Sequence, residues 1–377
     1  MPVLTIELLP KFATDCLLGL LFRLDPSYKI TITPTALTVE GPSPVKGIEN
    51  ALEVALEQVE RKQATLKKGG ALRLPMSGND KKVVMQIQRE LGKRGGDIDA
   101  HTFVKLVKDN LPSIVSSKSS FRLIDILKPE FYEHNRVPGY STTSLIKNKA
   151  YPLLSIVLAV CGYLTCSVGR APIKENEFAT VVVTPLISST EKGFIINPQY
   201  MISHQNGYTS LANHILQRNG ILSGLFPEPA LHLLMASLMG ATDVSVYAIK
   251  EPGGNSPASI FTSMSMSLYR TYRELKRYEI IGENGVVNDF LRLLERALDA
   301  RIKGAEKAQA VKYSILLYEA LHGLRPLEEF VYTVDREFVR WVFMDKSKLP
   351  KKGDPDFEIY MLQRHAIGIS KILSRMI

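Results

Sequence analysis

Cysteine is scarce in this chain: Cys16, Cys161 and Cys166 are the only three in 377 residues. They make no CxxC pair and no even framework, which excludes a zinc knuckle and a disulfide scaffold and fits a reducing compartment, the cytoplasm. The seven histidines show neither HExxH nor HxxxH spacing, and there is no GxSxG elbow and no Walker lysine loop. The commonest zinc-hydrolase, serine-hydrolase and nucleotide-binding signatures are therefore missing. The expectation is a chain without cofactor, metal site or catalytic residues, whose histidines are satisfied or solvated. The carboxylate pairs Glu328 and Glu329, and Asp354 and Asp356, stand in polar, turn-rich surroundings and read as surface charge. Apolar runs at the amino terminus are interrupted by Glu7, Lys11 and Asp15, so no signal peptide is expected. Charge is absent from residues 150–169, a stretch long enough to cross a bilayer. Its Pro152, Ser155, Gly162, Thr165 and Ser167, with Leu154, Val157, Leu158 and Cys161 between them, instead suit a buried core helix. No membrane partner is expected.

Positive charge is present, and it is concentrated. The net charge is +9, and residues 60–149 alone hold 18 Lys and Arg against 9 Asp and Glu, while residues 1–59 are net acidic and residues 150–250 are balanced. A local surplus of this kind points to a polyanion, because each phosphate met by Lys or Arg releases condensed counterion. A solvated surface kept for solubility remains the competing reading. At this length, with 45% hydrophobic residues, two domains are the default.

The periodicity predicts an α+β fold: a mixed α/β domain over residues 1–257 and an all-helical bundle over 258–377. Residues 3–9 read as a strand, 12–24 as an apolar helix, YKITIT and ALTVE as a hairpin, and 47–66 as a helix with Ile48, Leu52, Ala55, Leu56 and Val59 on one face. With ALRLP as a further short strand the order is βαββαβ, a ferredoxin-like start. ATVVVTPLIS and GFIINP are expected to pair as a hairpin, two helices to follow, and DVSVYAIK to form a strand. From Ala258 onward only helices are expected.

Several clusters are candidate nucleic-acid contacts. Residues 67–82, KKGGALRLPMSGNDKK, read as an exposed basic loop presenting Lys67, Lys68, Arg73, Lys81 and Lys82. Lys93 and Arg94 precede two glycines at a helix end, where meeting phosphate and complementing the helix dipole are both open readings. The loop from Pro252 to Pro257, with Asn255 at its tip, either approaches phosphates and base edges or is a flexible connector. In SLYRTYRELKRYE, Arg270, Arg273 and Arg277 share a helical face, with Tyr269 and Tyr272 near enough to stack on bases. Arg292 and Arg296 would form a basic band with Lys303 and Lys307 if their helix ran on past Gly304. Acidic neighbours make a salt-laced solvent face the alternative.

The basic amino-terminal portion, the strand-loop-helix YAIKEPGGNSPASIFTSMSMSLYRTYRELKRYE and a helical tail of about 120 residues together resemble the large subunit of archaeal type I-A CRISPR effector complexes, the Csa branch. That resemblance implies a non-enzymatic subunit of an RNA-guided assembly. Its partners would be guide RNA, target DNA and the other subunits, with helicase and nuclease on separate polypeptides. It would contact the short motif beside the target, and its helical bundle would help hold the displaced strand. A metal-dependent nucleic-acid-processing enzyme and a basic protein-binding scaffold are the competing functions.

Overall fold

A computed structural model describes residues 1–64, 71–129, 149–174, 177–187, 194–216, 228–252, 257–282, 286–299 and 301–377. The class is α+β, with sheets toward the amino terminus and helices toward the carboxyl terminus, as the periodicity predicts. The chain divides into two compact units that do not follow simple sequence order. One comprises residues 1–170, 177–221 and 243–266, and the other residues 171–176, 222–242 and 267–377.

The first unit opens with β1 (Val3–Glu7), α1 (Lys11–Leu21), β2 (Lys29–Ile32), β3 (Ala36–Glu40) and α2 (Pro44–Ala64). β3 lies between β1 and β2 and is antiparallel to both. This is the first half of a ferredoxin-like arrangement. The second half differs, because residues 71–75 do not join the sheet: Arg73 makes only an isolated bridge to Asp99. The fourth strand is instead β8 (Phe194–Ile195), which pairs with β2 on the far edge. The expected hairpin between 179–188 and 193–198 is corrected by the same pairing. β7 (Glu177–Pro185) joins β9 (Asp243–Lys250) and β6 (Ser167–Lys174) in a second sheet of order β10-β9-β7-β6. β10 is Ser259–Ser267, so the expectation of helix from Ala258 onward fails for nine residues. Its alternating serines and bulkier side chains fit a half-buried edge strand, and Met266 is buried there.

Two short strands, β4 (Ser120–Arg122) and β5 (Ala150–Pro152), pair antiparallel, and α3 (Gly78–Glu90), α4 (Ala100–Asp109) and α5 (Leu111–Ser116) precede them. After β5 runs α6 (Leu153–Cys166), every residue of which is buried. It packs against α1, ten of whose eleven residues are buried, and the two helices form the centre of the first unit's core. The uncharged stretch is thus a core helix. Among the described residues no helix is long and apolar enough to cross a membrane. Burial pushes the Cys166 thiol up to about 11 and the Cys161 thiol higher still, so both stay protonated. α7 (Pro198–Leu216) completes this unit.

The second unit is a helical assembly of α8 (Glu228–Met239), α9 (Tyr269–Arg277), α10 (Val287–Leu298), α11 (Gly304–Leu321), α12 (Leu327–Val342) and α13 (Phe357–Leu373). Phe290, Leu293, Leu294, Tyr313, Leu317, Phe330, Leu362 and Ile369 fill its core. Val342, in the last turn of α12, is 63% exposed.

Candidate nucleic-acid interface

In the first unit the end of the sequence's basic loop, from Gly78 onward, is the start of a helix. Ser77 caps α3: its hydroxyl accepts from Asp80 N–H, and Asp80 accepts in return from Ser77 N–H at 2.8 Å, the reciprocal capping box. The helix therefore begins at Gly78 and takes Lys81 and Lys82 out of the loop and into its first turns. Burial pushes the Asp80 carboxyl upward, while the backbone donors of Ser77 and Asp125 act against that. At the other end Gly92, at φ +72°, occupies the left-handed position that releases the chain. Gly92 N–H donates to Arg89 O and Lys93 N–H to Gln88 O, a Schellman motif. Gly96 N–H donates to the Gln88 side chain, which folds the turn back onto the helix.

This turn fixes Lys93 and Arg94 beside the carboxyl end of α3, with both side chains exposed. Lys81 pairs with Asp97 at 3.3 Å in an exposed contact of small net worth. Lys82 and Arg89, seven residues apart, share one exposed face of α3. Among the described residues no ion pair engages Arg73, Lys82, Arg89, Lys93 or Arg94. Arg89 escaped the sequence reading, although its i+7 spacing from Lys82 was the signal for it. Lys67, Lys68 and Asn255 lie outside the described residues.

The second unit carries the arginine–tyrosine helix, α9. Arg273 and Arg277 both reach Glu274, at 3.0 and 3.3 Å, while remaining 60% and 69% exposed. Arg270 donates to the His322 carbonyl at 2.8 Å, tying α9 to the end of α11. Lys276, which sequence reasoning passed over, is exposed and lies 5.1 Å from the centre of the Tyr272 ring. Arg277 lies likewise over Tyr278. Two of the tyrosines are thus occupied by cations of their own helix, while Tyr269 is 57% exposed. Thr271 is buried beneath this face, with its hydroxyl 3.1 Å from Nε2 of both His232 and His322.

The band proposed for Arg292, Arg296, Lys303 and Lys307 is not a continuous helical face. α10 ends at Leu298, Asp299 takes the Arg301 backbone and guanidinium, and α11 begins at Gly304 with φ +69°. Arg292 is exposed, but Arg296 is only 20% exposed and pairs with Glu306 of α11 and, at 2.8 Å, with Glu358 of α13. Lys307 donates to the Asp299 carbonyl at 2.8 Å. These contacts join helices, as the salt-laced alternative anticipates.

Among the described residues no group of three or more His, Cys, Asp or Glu is placed to hold a metal ion. His365 pairs with Asp289 at 2.7 Å, linking α13 to α10, and His101 pairs with Glu60 at 3.0 Å. His204 departs from the expectation of a satisfied histidine: it is fully buried and neither ring nitrogen has a hydrogen-bond partner.

Comparison with known proteins adds one match. A family model described as CRISPR-associated protein, CsaX covers residues 44–338, more than three quarters of the chain. No curated protein matches it.

Proposed function

The chain belongs to the CRISPR-associated CsaX family, and from that premise we propose that it is the large, non-catalytic nucleic-acid-binding subunit of a type I-A RNA-guided interference complex. It works there with other Cas proteins, with guide RNA and target DNA as its nucleic-acid partners and with helicase and nuclease chemistry on separate polypeptides. The observation that carries this reading is the exposed basic surface around α3, where Arg73, Lys82, Arg89, Lys93 and Arg94 stand without carboxylate partners among the described residues. Cations left uncompensated on a fixed helix and its capped turn suit a phosphate backbone, which rewards point charges at a constant spacing whatever the base sequence. The arginines of α9 supply a second positioning surface, and Asn255 reads the short motif flanking the target. Base pairing with the guide reads the remainder.

The test is binding of the purified chain to single- and double-stranded oligonucleotides across a salt series. Log affinity is expected to fall linearly with log salt, and replacing Lys82 and Arg89 together by alanine is expected to lower the slope by roughly 1 to 2 units. No cleavage is expected with divalent metal present. A flat salt response favours the protein-binding scaffold, and metal-dependent turnover favours the processing enzyme.

A further inference from the structure

The apolar residues of a surface helix ordinarily face the core, and α12 departs from this along one whole side. Its inner face buries Phe330, Val334 and Trp341. On the outer side Tyr332 is 65% exposed, and Val339, Val342 and, just past the last turn, Phe343 are exposed with it. At 100° per residue these four fall within about 100° of one another, so they make one apolar stripe along the helix. Beside the stripe the residues after α13 wall off a groove of about 650 Å³, whose lining includes Tyr332, Val339 and Ile377. A continuous apolar stripe left open to water marks an interaction surface.

The charges on the stripe decide what covers it. Glu328, Asp335 and Arg336 also line the groove. Asp335 accepts the Ser370 hydroxyl at 2.7 Å through one oxygen, and the Arg336 guanidinium lies 5.6 Å from the centre of the Tyr332 ring. Among the described residues neither is in an ion pair. A partner surface of a single sign would match one of these charges and repel the other. Opposite charges side by side suit an isologous contact, in which a two-fold axis sets residue i of one copy against residue j of the other and j against i.

The helix has the geometry for it. With the axis midway between positions 335 and 336 the two copies of α12 run antiparallel, and positions equally distant from that midpoint face each other. Asp335 and Arg336 stand about 50° to either side of the axis, and the rotation brings each onto the other's side. Asp335 therefore meets the partner's Arg336, and Arg336 meets the partner's Asp335. Tyr332 and Val339 are equidistant from the same midpoint and meet in the same way. We infer that the α12 stripe is the interface of a symmetric dimer whose other member is a second copy of this chain. The apolar pairs supply the attraction, and the two central ion pairs fix the register, because a slip along the helices sets charge against apolar side chains. The surface lies on the second unit alone and does not rest on the proposed function.

The experiment follows the mass of the purified full-length chain, freed of nucleic acid, by sedimentation velocity over a concentration series. A reversible shift from one copy to two is expected. Arg336→Glu sets like charges against each other twice and is expected to raise the dimer dissociation constant about tenfold or more, as is Asp335→Lys. An equimolar mixture of these two variants is expected to dimerise again, since both opposed pairs are then of unlike sign. Mixing repairs neither a misfolded chain nor lost apolar packing, so recovery is particular to this register. Val339→Asp buries a carboxylate at the seam and is expected to weaken the dimer about tenfold. It and Arg336→Glu leave the Asp335 bond to Ser370 untouched and keep the test valid if Asp335→Lys does not fold. A chain that stays monomeric throughout the series, or a dimer that both Arg336→Glu and Val339→Asp leave intact, overturns the interface and leaves the stripe to a different protein. A monomer with a normal salt slope for oligonucleotides overturns this inference alone, and a dimer with a flat slope overturns the proposed function alone.

Discussion

Lys62 gives the sharpest reading at the scale of one residue. Its surroundings are Gln58 and Arg61 on its own helix, Leu164, Cys166 and Ser167 at the end of α6, Tyr208 on α7 and Arg23 after α1. Burial is the first cause of its lowered pKa, about 7 against 10.5; Arg23 lowers it further, and Cys166 acts in the opposite sense. The sign follows from linkage. Between about 7 and 10.5 the unfolded chain binds more protons than the folded one, so stability rises with pH across that window and is lowest below it. The urea midpoint is expected to climb from pH 7 to pH 10, and Lys62→Met is expected to flatten the climb. An equal climb in both chains assigns it elsewhere. None of this was legible in the sequence. Arg23 and Lys62 are ordinary basic residues by spacing, and only the tertiary packing of α1, α2, α6 and α7 removes them from water. Surface cations such as Lys82 and Arg94 were legible because a locally concentrated charge seldom finds enough acids to cancel it, whereas the sequence left Arg296 open between a basic band and a salt-laced face because its two glutamates come from other helices.

Helices and strands differed in how far the sequence reached. The long apolar helix α6 was legible as core from its composition alone, since lipid and a protein interior demand similar residues and its Gly, Ser and Thr favour the interior. What the sequence did not reveal was how closely it approaches α1. A Cβ at Gly162 would run into the Cys16 carbonyl, and one at Gly19 into the Cys166 sulfur. Backbone cannot yield as a side-chain tip can, so Gly162→Ala forces the two central helices apart. It is expected to destabilise the chain by about 1 to 3 kcal/mol, read from urea unfolding. An unchanged midpoint would mean that the helices separate at no cost. For α3 the start and stop were legible: the sequence indicates a helix beginning near Asp80 and ending at Lys93 and Arg94, and the structure has it from Gly78 to Glu90, capped by Ser77 and released at Gly92. Ser77→Ala removes one side of the capping box and is expected to cost about 0.5 to 2 kcal/mol. The result to look for is loss of thermal stability together with weaker nucleic-acid binding, because the cap sets where Lys81 and Lys82 stand. Strand partners were the least legible feature. β7 and β8 are near in sequence, yet β7 pairs with β9 and β8 with β2, because register is decided by burial across the whole sheet and not by proximity along the chain.

At the scale of the whole molecule, the two units interleave in sequence: residues 171–176 and 222–242 leave the first unit's run and belong to the second. A boundary sought along the sequence looks for one linker, and an arrangement with several crossings offers none. Each unit nevertheless carries its own basic surface, α3 and its capped turn in one, α9 in the other. The electrostatic consequence is additive if a single nucleic acid meets both, because counterion release counts phosphates and is indifferent to which unit supplies the cation. Replacing Lys82 and Arg89 is expected to remove roughly 1 to 2 units of salt slope, and replacing Arg270, Arg273 and Arg277 about 1 to 3, the lower figure reflecting cations already engaged with Glu274 and the His322 carbonyl. Glu274→Gln releases Arg273 and Arg277 and is expected to strengthen binding at low salt. With a long oligonucleotide the five-residue variant should lose the sum of the two slopes. With one too short to span both surfaces it should lose no more than one of them. Equal losses on long and short oligonucleotides would place all contact on a single unit and return the other surface to solvent.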